Sequence, residues 1–256
     1  MCYNKTNLNR IPETKIMKKL SVIIPAYNEQ KRIEHTLLDV DAYLEKQGYD
    51  YEILLVDNHS SDRTSDIGNR LSGTTLTKLR VLKQPVRGKG AAVKLGMAEA
   101  TGTHAVYMDA DNATPISEIA KFWPLLDQGI EVVIGDRYMD EVHKAKQPLL
   151  RTILSRGSNI LIQTVLLPHI HDTQAGFKAF EIKAAKEIFK RVSIYGWAFD
   201  MELLALAMRL GYQIKPVGIV RDQDGGSTVA ASAFIQSLRD LFVIKWRLIT
   251  NFYKIK

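Results

Sequence analysis

Short apolar segments and helical patterns alternate along the first half of the chain. Five mainly apolar segments predict buried strands, at residues 20–24, 52–56, 79–83, 104–108 and 131–135. A helix face follows the first strand, with apolar residues from Ile33 to Leu44 at steps of four, three and four. Thr114 and Pro115 have the form of an N-cap followed by proline at the first helical position. Strands separated by helices predict right-handed crossovers, and so a doubly wound α/β domain with a mainly parallel sheet.

The pattern changes after about residue 140. The elements predicted there are a long helix at 149–167, helices near Lys183 and Asp200, a strand at 213–219 and a helix at 232–254. We therefore expect an N-terminal tail at 1–19, one domain at 20–230 and a C-terminal amphipathic helix within 231–256. One such domain suits a chain of 256 residues, of which 46% are hydrophobic.

The net charge of +7 indicates an anionic partner, which is a phosphorylated ligand, a membrane surface or nucleic acid. Nucleic acid is disfavoured, because neither zinc-finger spacing nor an RNA-binding aromatic pattern is present. With Cys2 as its one cysteine, the chain forms no internal disulfide, which favours a reducing compartment. The sequence has no apolar run of membrane-spanning length and no visible signal peptide. We expect a cytoplasmic protein.

Polar and acidic residues follow three of the predicted strands directly, at 25–29, 57–62 and 109–111. Ligands of open α/β sheets bind outside the carboxyl ends of the strands, so these clusters predict a site at that edge. Asp109 and Asp111 are spaced so that both carboxylates point the same way in an extended segment. Such oxygen ligands suit Mg²⁺ or Mn²⁺, which would neutralise the charge on a departing diphosphate.

A glycine-rich turn, Arg87-Gly88-Lys89-Gly90, precedes the predicted helix at 88–100. Glycines admit close backbone approach, and helix N-termini attract phosphate. The turn is not a P-loop, and Val93 stands where the dinucleotide fingerprint has its third glycine. A plain turn before a helix is an equally good interpretation of this segment alone.

The segments Ser21–Glu29, Val56–Asp62, Arg87–Gly90 and Asp109–Asp111 together resemble family 2 glycosyltransferases of the GT-A fold. Three later blocks are more specific and resemble the polyprenyl-phosphate sugar transferases, most closely the dolichyl-phosphate β-glucosyltransferases. These blocks are Gly135-Asp-Arg-Tyr138, Asp172-Thr-Gln-Ala-Gly-Phe-Lys178 and Trp197-Ala-Phe-Asp-Met-Glu202. The resemblance covers about residues 19–253.

The resemblance implies a role for individual residues. It assigns the nucleotide pocket to Pro25, Tyr27, Glu29, Asp57, Lys89 and Asp109. It assigns the metal to Asp109 and Asp111. Arg137 and Arg151 are candidates for binding phosphate, and Arg137 is also grouped with the catalytic residues. Asp172, Asp200 and Glu202 would shape the sugar and acceptor side, with Asp172 and Asp200 as catalytic candidates beside Asp109 and Asp111.

Two positions depart from the family pattern. Many relatives have a second aspartate where this chain has Asn58, which leaves the contacts to the base open. Ala113 stands where mannosyl relatives often have glutamine, which favours the glucosyl branch and leaves the metal one protein ligand short.

The predicted C-terminal helix mixes Phe, Ile, Leu and Trp246 with basic residues. Such a helix can lie in a membrane interface, and packing on the domain core is an equally good interpretation. A polyprenyl-phosphate acceptor is a lipid, so we expect peripheral attachment to the cytoplasmic face of a membrane.

The leading hypothesis is an inverting transferase that moves glucose from UDP-glucose to a polyprenyl phosphate. Because a phosphate oxygen is already anionic, the acceptor would need positioning rather than a strong base. A related transferase acting on a saccharide hydroxyl is the first alternative and would need a catalytic carboxylate. A non-catalytic module that binds nucleotide sugars is the second alternative. The sugar itself stays open, since hexoses differ by only one or two substituents.

Overall fold

A computed structural model describes residues 18–139, 157, 159–220 and 231–255. These residues contain a seven-stranded sheet in the order β3-β2-β1-β4-β6-β5-β7. The strands are β1 (Lys19–Ala26), β2 (Asp50–Asp57), β3 (Leu79–Lys83), β4 (His104–Tyr107), β5 (Val132–Asp136), β6 (Lys178–Glu181) and β7 (Ile214–Gly218). Strand β6 runs antiparallel to both of its neighbours, β4 and β5, while the other pairings are parallel.

Helices cover both faces of this sheet. They are α1 (Ile33–Leu44), α2 (Thr64–Thr74), α3 (Lys89–Glu99), the short α4 (Trp123–Leu126), α5 (Ile182–Arg191), α6 (Phe199–Arg209) and α7 (Ala231–Ile249). A 3₁₀ helix at Ile116–Lys121 precedes α4, and residues 159–165 are also helical. The predicted doubly wound, mainly parallel α/β fold is thereby confirmed.

Alternate residues of the central strands enter two separate cores. In β1, Val22 and Ile24 pack on the side of α1, whereas Ile23 packs on the side of α3. This alternation follows from the two-residue period of a strand, and both faces are buried because helices cover both. The central strands are therefore apolar almost throughout, which is why the sequence pattern located them.

The structure differs from the predicted local structure at three points. Strand β6 was missed, because its four residues are too few for a period-two pattern to mark them. Thr114 does not cap a helix: the 3₁₀ helix starts after Pro115 without a side-chain cap. The last helix ends at Ile249 rather than at residue 254, since Asn251 and Lys254 both adopt positive φ angles, 53° and 52°.

Helix α7 has one face toward the core and one toward solvent. Leu241 and Ile244 are fully buried in the core on the α3 side of the sheet. On the opposite face, Phe242, Trp246 and Ile249 are 56%, 62% and 73% exposed. Packing on the domain core is therefore confirmed for one face of the helix, and the other face is exposed to solvent. Across the part of the chain that the structure describes, no helix is long and apolar enough to cross a bilayer.

Candidate active site

The carboxyl ends of β1, β2 and β4 lie side by side, because β1 pairs with both other strands in parallel. This pairing brings the segments 25–29, 57–62 and 109–111 to one edge of the sheet, as the sequence predicted. The loops from β3 to α3 and from β5 onward open at the same edge, since both strands run in the same direction as the central three. The edge therefore collects polar groups from five connections.

The first two loops are joined by hydrogen bonds. Asn28, at a positive φ of 56°, accepts a hydrogen bond from Ser61 N (2.8 Å) and donates its own N–H to Ser60 Oγ (3.0 Å). Asp57 is buried at the end of β2 and accepts from Ser60 N at 3.1 Å. Pro25 is buried in β1 beside Val56. These bonds order both loops before any ligand is bound.

Two of the predicted nucleotide residues contact nearby arginines. The ring of Tyr27 is 51% exposed and lies 5.8 Å from the Arg87 guanidinium carbon. The Glu29 carboxylate accepts two bonds from Arg32, both at 2.8 Å. Burial raises the pKa of Glu29 above its ordinary value, and the negative charge of Asp111 adds to this against the effect of Arg32. The carboxylates of Glu29 and Asp111 are therefore close enough at this edge of the sheet to repel each other electrostatically.

Asn58 fastens the glycine-rich turn to the end of β2. Its Nδ2 donates to Val86 O at 2.7 Å, and its Oδ1 accepts from Gly88 N at 2.7 Å. An aspartate at this position could not make both bonds, because an ionised carboxylate has no proton for the Val86 carbonyl. The departure at this position thus has a structural role: Asn58 holds the turn that carries Lys89.

Lys89 reaches from the start of α3 to Asp109, with Nζ 2.5 Å from Oδ1. Burial alone would lower the pKa of Lys89, but the nearby carboxylates, Asp109 and Asp200 foremost, raise it above its ordinary value. Lys89 therefore stays cationic beside the predicted nucleotide and metal residues. The preceding Gly88 has a φ of 127°, which other residues rarely adopt.

Asp109 lies directly against Gly176 of the later Asp172–Lys178 block. A Cβ at Gly176 would come within 2.1 Å of Asp109 Oδ2, so no larger residue fits beside the carboxylate as placed. Asp111 Oδ1 accepts a bond from Ala113 N at 3.1 Å. The two parts of the chain that carry the predicted motifs thus meet at Asp109.

Arg137 and Asp172 form a paired unit beside this point. Nε and Nη2 of Arg137 donate to the carboxylate of Asp172 at 2.6 and 2.8 Å, and the Arg137 backbone N–H donates at 3.1 Å. Burial by itself would raise the pKa of Asp172, but the bonds from Arg137 outweigh it and hold that pKa below its ordinary value. A salt bridge this well satisfied orients the guanidinium, and Arg137 adds a positive charge to the edge.

Asp200 is buried and paired, in a network that sequence reasoning did not find. Its Oδ1 accepts from Lys178 Nζ at 2.6 Å and from the hydroxyl of Tyr107. Lys178 is fully buried and also donates to Ala175 O at 2.5 Å, next to Gly176. Burial lowers the pKa of Lys178 despite the opposing charge of Asp200. This network supports the loop that packs on Asp109.

Among the described residues, one remaining candidate, Glu202, is not part of this edge. Glu202 is fully buried, and it binds the backbone of Ser193 and Ile194 rather than facing the open edge. Arg151 lies outside the described residues.

The sequence pattern of Glycosyl transferase family 2 matches residues 21–189. The chain belongs to this family. Three curated relatives are named dolichyl-phosphate beta-glucosyltransferase. The one from Dictyostelium discoideum is 34% identical over 93% of this chain and 77% of its own length. The one from Saccharomyces cerevisiae is 32% identical (92% and 76%), and the one from Homo sapiens is 29% identical (93% and 78%).

Solved structures of glucosyl-3-phosphoglycerate synthase from Mycobacterium tuberculosis share the fold of this family 2 glycosyltransferase. A complex with Mn²⁺, UDP and phosphoglyceric acid aligns at a TM-score of 0.65 and 22% identity, covering 89% of this chain and 78% of that one. A complex with Mn²⁺ and UDP-glucose aligns at 0.64 and 22% identity, covering 89% and 79%. The predicted GT-A architecture is confirmed.

The donor set at this edge suits a metal that is shared with its substrate. Within residues 18–139, 157, 159–220 and 231–255, no three His, Cys, Asp or Glu side chains form a metal-holding group. Mg²⁺ and Mn²⁺ are hard ions, and Mg²⁺ commonly takes one or two carboxylates and completes its shell with substrate phosphates and water. Asp109 and Asp111 would supply two carboxylates to such an ion, and the residues present therefore fit it.

Proposed function

We propose that this glycosyltransferase moves glucose from UDP-glucose to a polyprenyl phosphate and inverts the anomeric configuration. The observation that supports this most is the extent of the similarity to the dolichyl-phosphate beta-glucosyltransferases. A match over 93% of the chain extends past residue 189, where the family pattern ends. The match therefore includes much of the C-terminal part of the chain, which contains Asp200 and the loop at Tyr195 that contacts the Lys89 turn.

In the proposed reaction, an oxygen of the acceptor phosphate attacks the anomeric carbon of the sugar. The bond from that carbon to the diphosphate oxygen breaks, and UDP leaves with the electron pair. One displacement converts an α-linked donor into a β-linked product. The attacking oxygen is already anionic near neutral pH, so none of the carboxylates has to remove a proton from it.

The residues of this edge have two tasks in the reaction. Lys89 stays protonated and places a positive charge next to the departing diphosphate, whereas Arg137, oriented by Asp172, offers one to the acceptor phosphate. Preorganised charges of this kind stabilise a transition state without further reorganisation. Asp109 and Asp111 would hold Mg²⁺ or Mn²⁺, which supplies further positive charge to the leaving group. Tyr27, Glu29 and Asp57 would line the pocket of the nucleoside.

The decisive experiment measures release of the nucleoside diphosphate, UDP or GDP, from UDP-glucose, GDP-mannose or UDP-N-acetylglucosamine as the donor, each with and without detergent-dispersed polyprenyl phosphate. We expect turnover with UDP-glucose only when the lipid phosphate is present and either Mg²⁺ or Mn²⁺ is added. The Asp111→Asn variant should lose turnover while keeping its melting temperature, because only the charge of one carboxylate changes. Turnover on a soluble saccharide but not on the lipid would refute the proposed acceptor.

We further propose that helix α7 is the element through which the protein lies on the cytoplasmic face of a membrane, beside a catalytic domain at 20–230. Its solvent-facing side presents Phe242, Trp246 and Ile249, and Phe252 follows at 52% exposure. Lys245, on the same helix, is also exposed. Exposed aromatic residues combined with basic ones suit an interface with anionic lipid.

Flotation with vesicles of phosphatidylcholine and phosphatidylserine tests this surface. Burying a Phe or Trp side chain contributes about 1.5–3 kcal/mol. Phe242 and Trp246 are 56% and 62% exposed, so each can gain only about half of that energy, and the double variant Phe242→Ser/Trp246→Ser should bind these vesicles more than tenfold more weakly. Leu38→Ser/Met208→Ser, at 38% and 39% exposure, is a matched control elsewhere on the surface. Equal vesicle binding by both double variants would refute the assignment.

A further inference from the structure

Glu202 carries a buried negative charge that is satisfied from two directions. From one side, its Oε2 accepts the backbone N–H groups of Ser193 and Ile194 at 2.8 and 2.7 Å, and its Oε1 accepts the Ser193 hydroxyl at 2.6 Å. From the other side, the Tyr253 hydroxyl donates to Oε1 at 2.8 Å. The Arg247 guanidinium lies 3.6 Å from the same oxygen.

The second set of partners belongs to the C-terminal segment. Arg247 is in the last turn of α7, and Tyr253 follows that helix. Arg247 also donates to the Ser193 hydroxyl at 2.8 Å, so it contacts both the carboxylate and the loop. Burial and the charge of Glu202 raise the pKa of Tyr253, which keeps its hydroxyl protonated and able to donate. The position of the C-terminal segment is thereby coupled to the loop at Ser193.

The same loop contacts the glycine-rich turn on its far side. Tyr195 O accepts from Gly90 N at 3.0 Å. A Cβ on Gly88 would lie 2.2 Å from Tyr195 O, and a Cβ on Gly90 would lie 2.9 Å from Ile194 O. The backbone of the loop therefore sits directly on the two residues that flank Lys89. If the loop moves by a few tenths of an ångström, the glycine-rich turn must therefore move with it.

We propose that Glu202 is a positioning residue, which uses Tyr253 and Arg247 to fix the Ser193–Tyr195 loop and, through that loop, the placement of Lys89 at the nucleotide site. Glu202 itself is fully buried, and its hydrogen-bond partners are the Ser193 loop and the C-terminal segment. The inference rests on the proposed nucleotide-sugar chemistry and adds a link from the C-terminal helix to the donor pocket. Without that link, a fully buried carboxylate would serve stability alone.

A pair of Tyr→Phe variants separates positioning from stability. Tyr253→Phe removes the hydroxyl bond to Glu202. Tyr51→Phe is the matched control, because the hydroxyl of this buried tyrosine also lies 2.7 Å from carboxylate oxygens, those of Asp41 and Glu45. Tyr51 lies at the start of β2, at the opposite end of that strand from Asp57. Each variant is measured for UDP affinity with Mn²⁺ by calorimetry, for KM and kcat with UDP-glucose, and for melting temperature.

We expect Tyr253→Phe to weaken UDP binding and raise KM by about threefold to tenfold, because only part of the free energy of one hydrogen bond to a charged group is transmitted to the nucleotide site. Tyr51→Phe should leave both unchanged while its melting temperature falls by a similar amount. Glu202→Gln should act like Tyr253→Phe and more strongly. Unchanged UDP affinity in Tyr253→Phe would overturn the positioning role, whether or not the melting temperature falls.

Failure of the proposed function gives a different result. A wild-type protein that binds UDP with Mn²⁺ but transfers no glucose to polyprenyl phosphate counts against the acceptor. The comparison of UDP affinities between the two variants still decides the role of Glu202 in that case.

Discussion

Replacing Gly176 with alanine would place a methyl group where the Asp109 carboxylate now lies. The added Cβ would be 2.1 Å from Oδ2 and 2.5 Å from the carboxyl carbon. Ordinary contacts of a Cβ begin at 3.4 Å, so the carboxylate must move by about 1 Å. It can do so by turning about its own side-chain bonds, because it is the end of a short side chain rather than backbone.

The cost of this movement falls on activity rather than on stability. Turning the carboxylate breaks the 2.5 Å contact with Lys89, but the Asp109 side chain is 39% exposed, so the pair contributes little to folding. Alanine also restricts the unfolded chain, which offsets part of the loss. We expect the melting temperature of Gly176→Ala to change by less than about 4 °C, the shift that roughly 1 kcal/mol produces in a domain of this size. A misplacement of about 1 Å at a catalytic group can lower kcat/KM by about a hundredfold.

The assay is the initial rate of UDP release from UDP-glucose with polyprenyl phosphate, together with a thermal melt. Gly73→Ala, near the end of α2, is the matched control, since no atom lies within 4 Å of an added Cβ there. If Gly176→Ala and Gly73→Ala have the same kcat/KM, the position of the Asp109 carboxylate does not matter for turnover, and the metal and nucleotide roles given to it are wrong.

Three further predictions concern Asn58 and the Arg137–Asp172 pair. Asn58→Asp should lower UDP affinity in calorimetry, because a carboxylate cannot donate to Val86 O and repels that carbonyl. If the variant binds UDP as tightly as the wild type, Asn58 does not hold the glycine-rich turn in place for the nucleotide. Arg137→Met should lower the free energy of unfolding by about 3–5 kcal/mol in urea titrations, since it leaves a buried carboxylate unpaired, and adding Asp172→Asn should recover part of that loss. Because the folded-state pKa of Asp172 is lowered, its contribution to stability is full above the unfolded value of 3.8 and is lost as the pH falls through the lower folded value. Thermal melts between pH 5 and pH 2 should therefore show a shallower loss of stability in Asp172→Asn than in the wild type, and parallel curves would contradict the assigned pKa direction.

The sequence alone determined the central strands and the edge at which the site lies. The apolar runs of β1, β2 and β4 predict strands that are buried on both faces of a mainly parallel sheet, and polar residues directly after such strands gather at its carboxyl edge. Asp57, Asp109 and Asp111 could therefore be placed together without coordinates. The sequence also showed the glycine turn before α3. It did not show that Asn58 holds this turn, because that role depends on contact with a backbone carbonyl 28 residues away.

Only the tertiary structure decided how the second half of the chain completes the site. Strand β6 is short and begins with Lys178, so no periodic pattern marks it, yet its antiparallel pairing with β4 sets Gly176 against Asp109. Lys178 and Glu202 are fully buried charges, and burial of a charge is possible only where partners distant in sequence satisfy it. Local pattern cannot reveal such partners, which is why Glu202 was expected at the acceptor side and instead holds the loop behind Lys89.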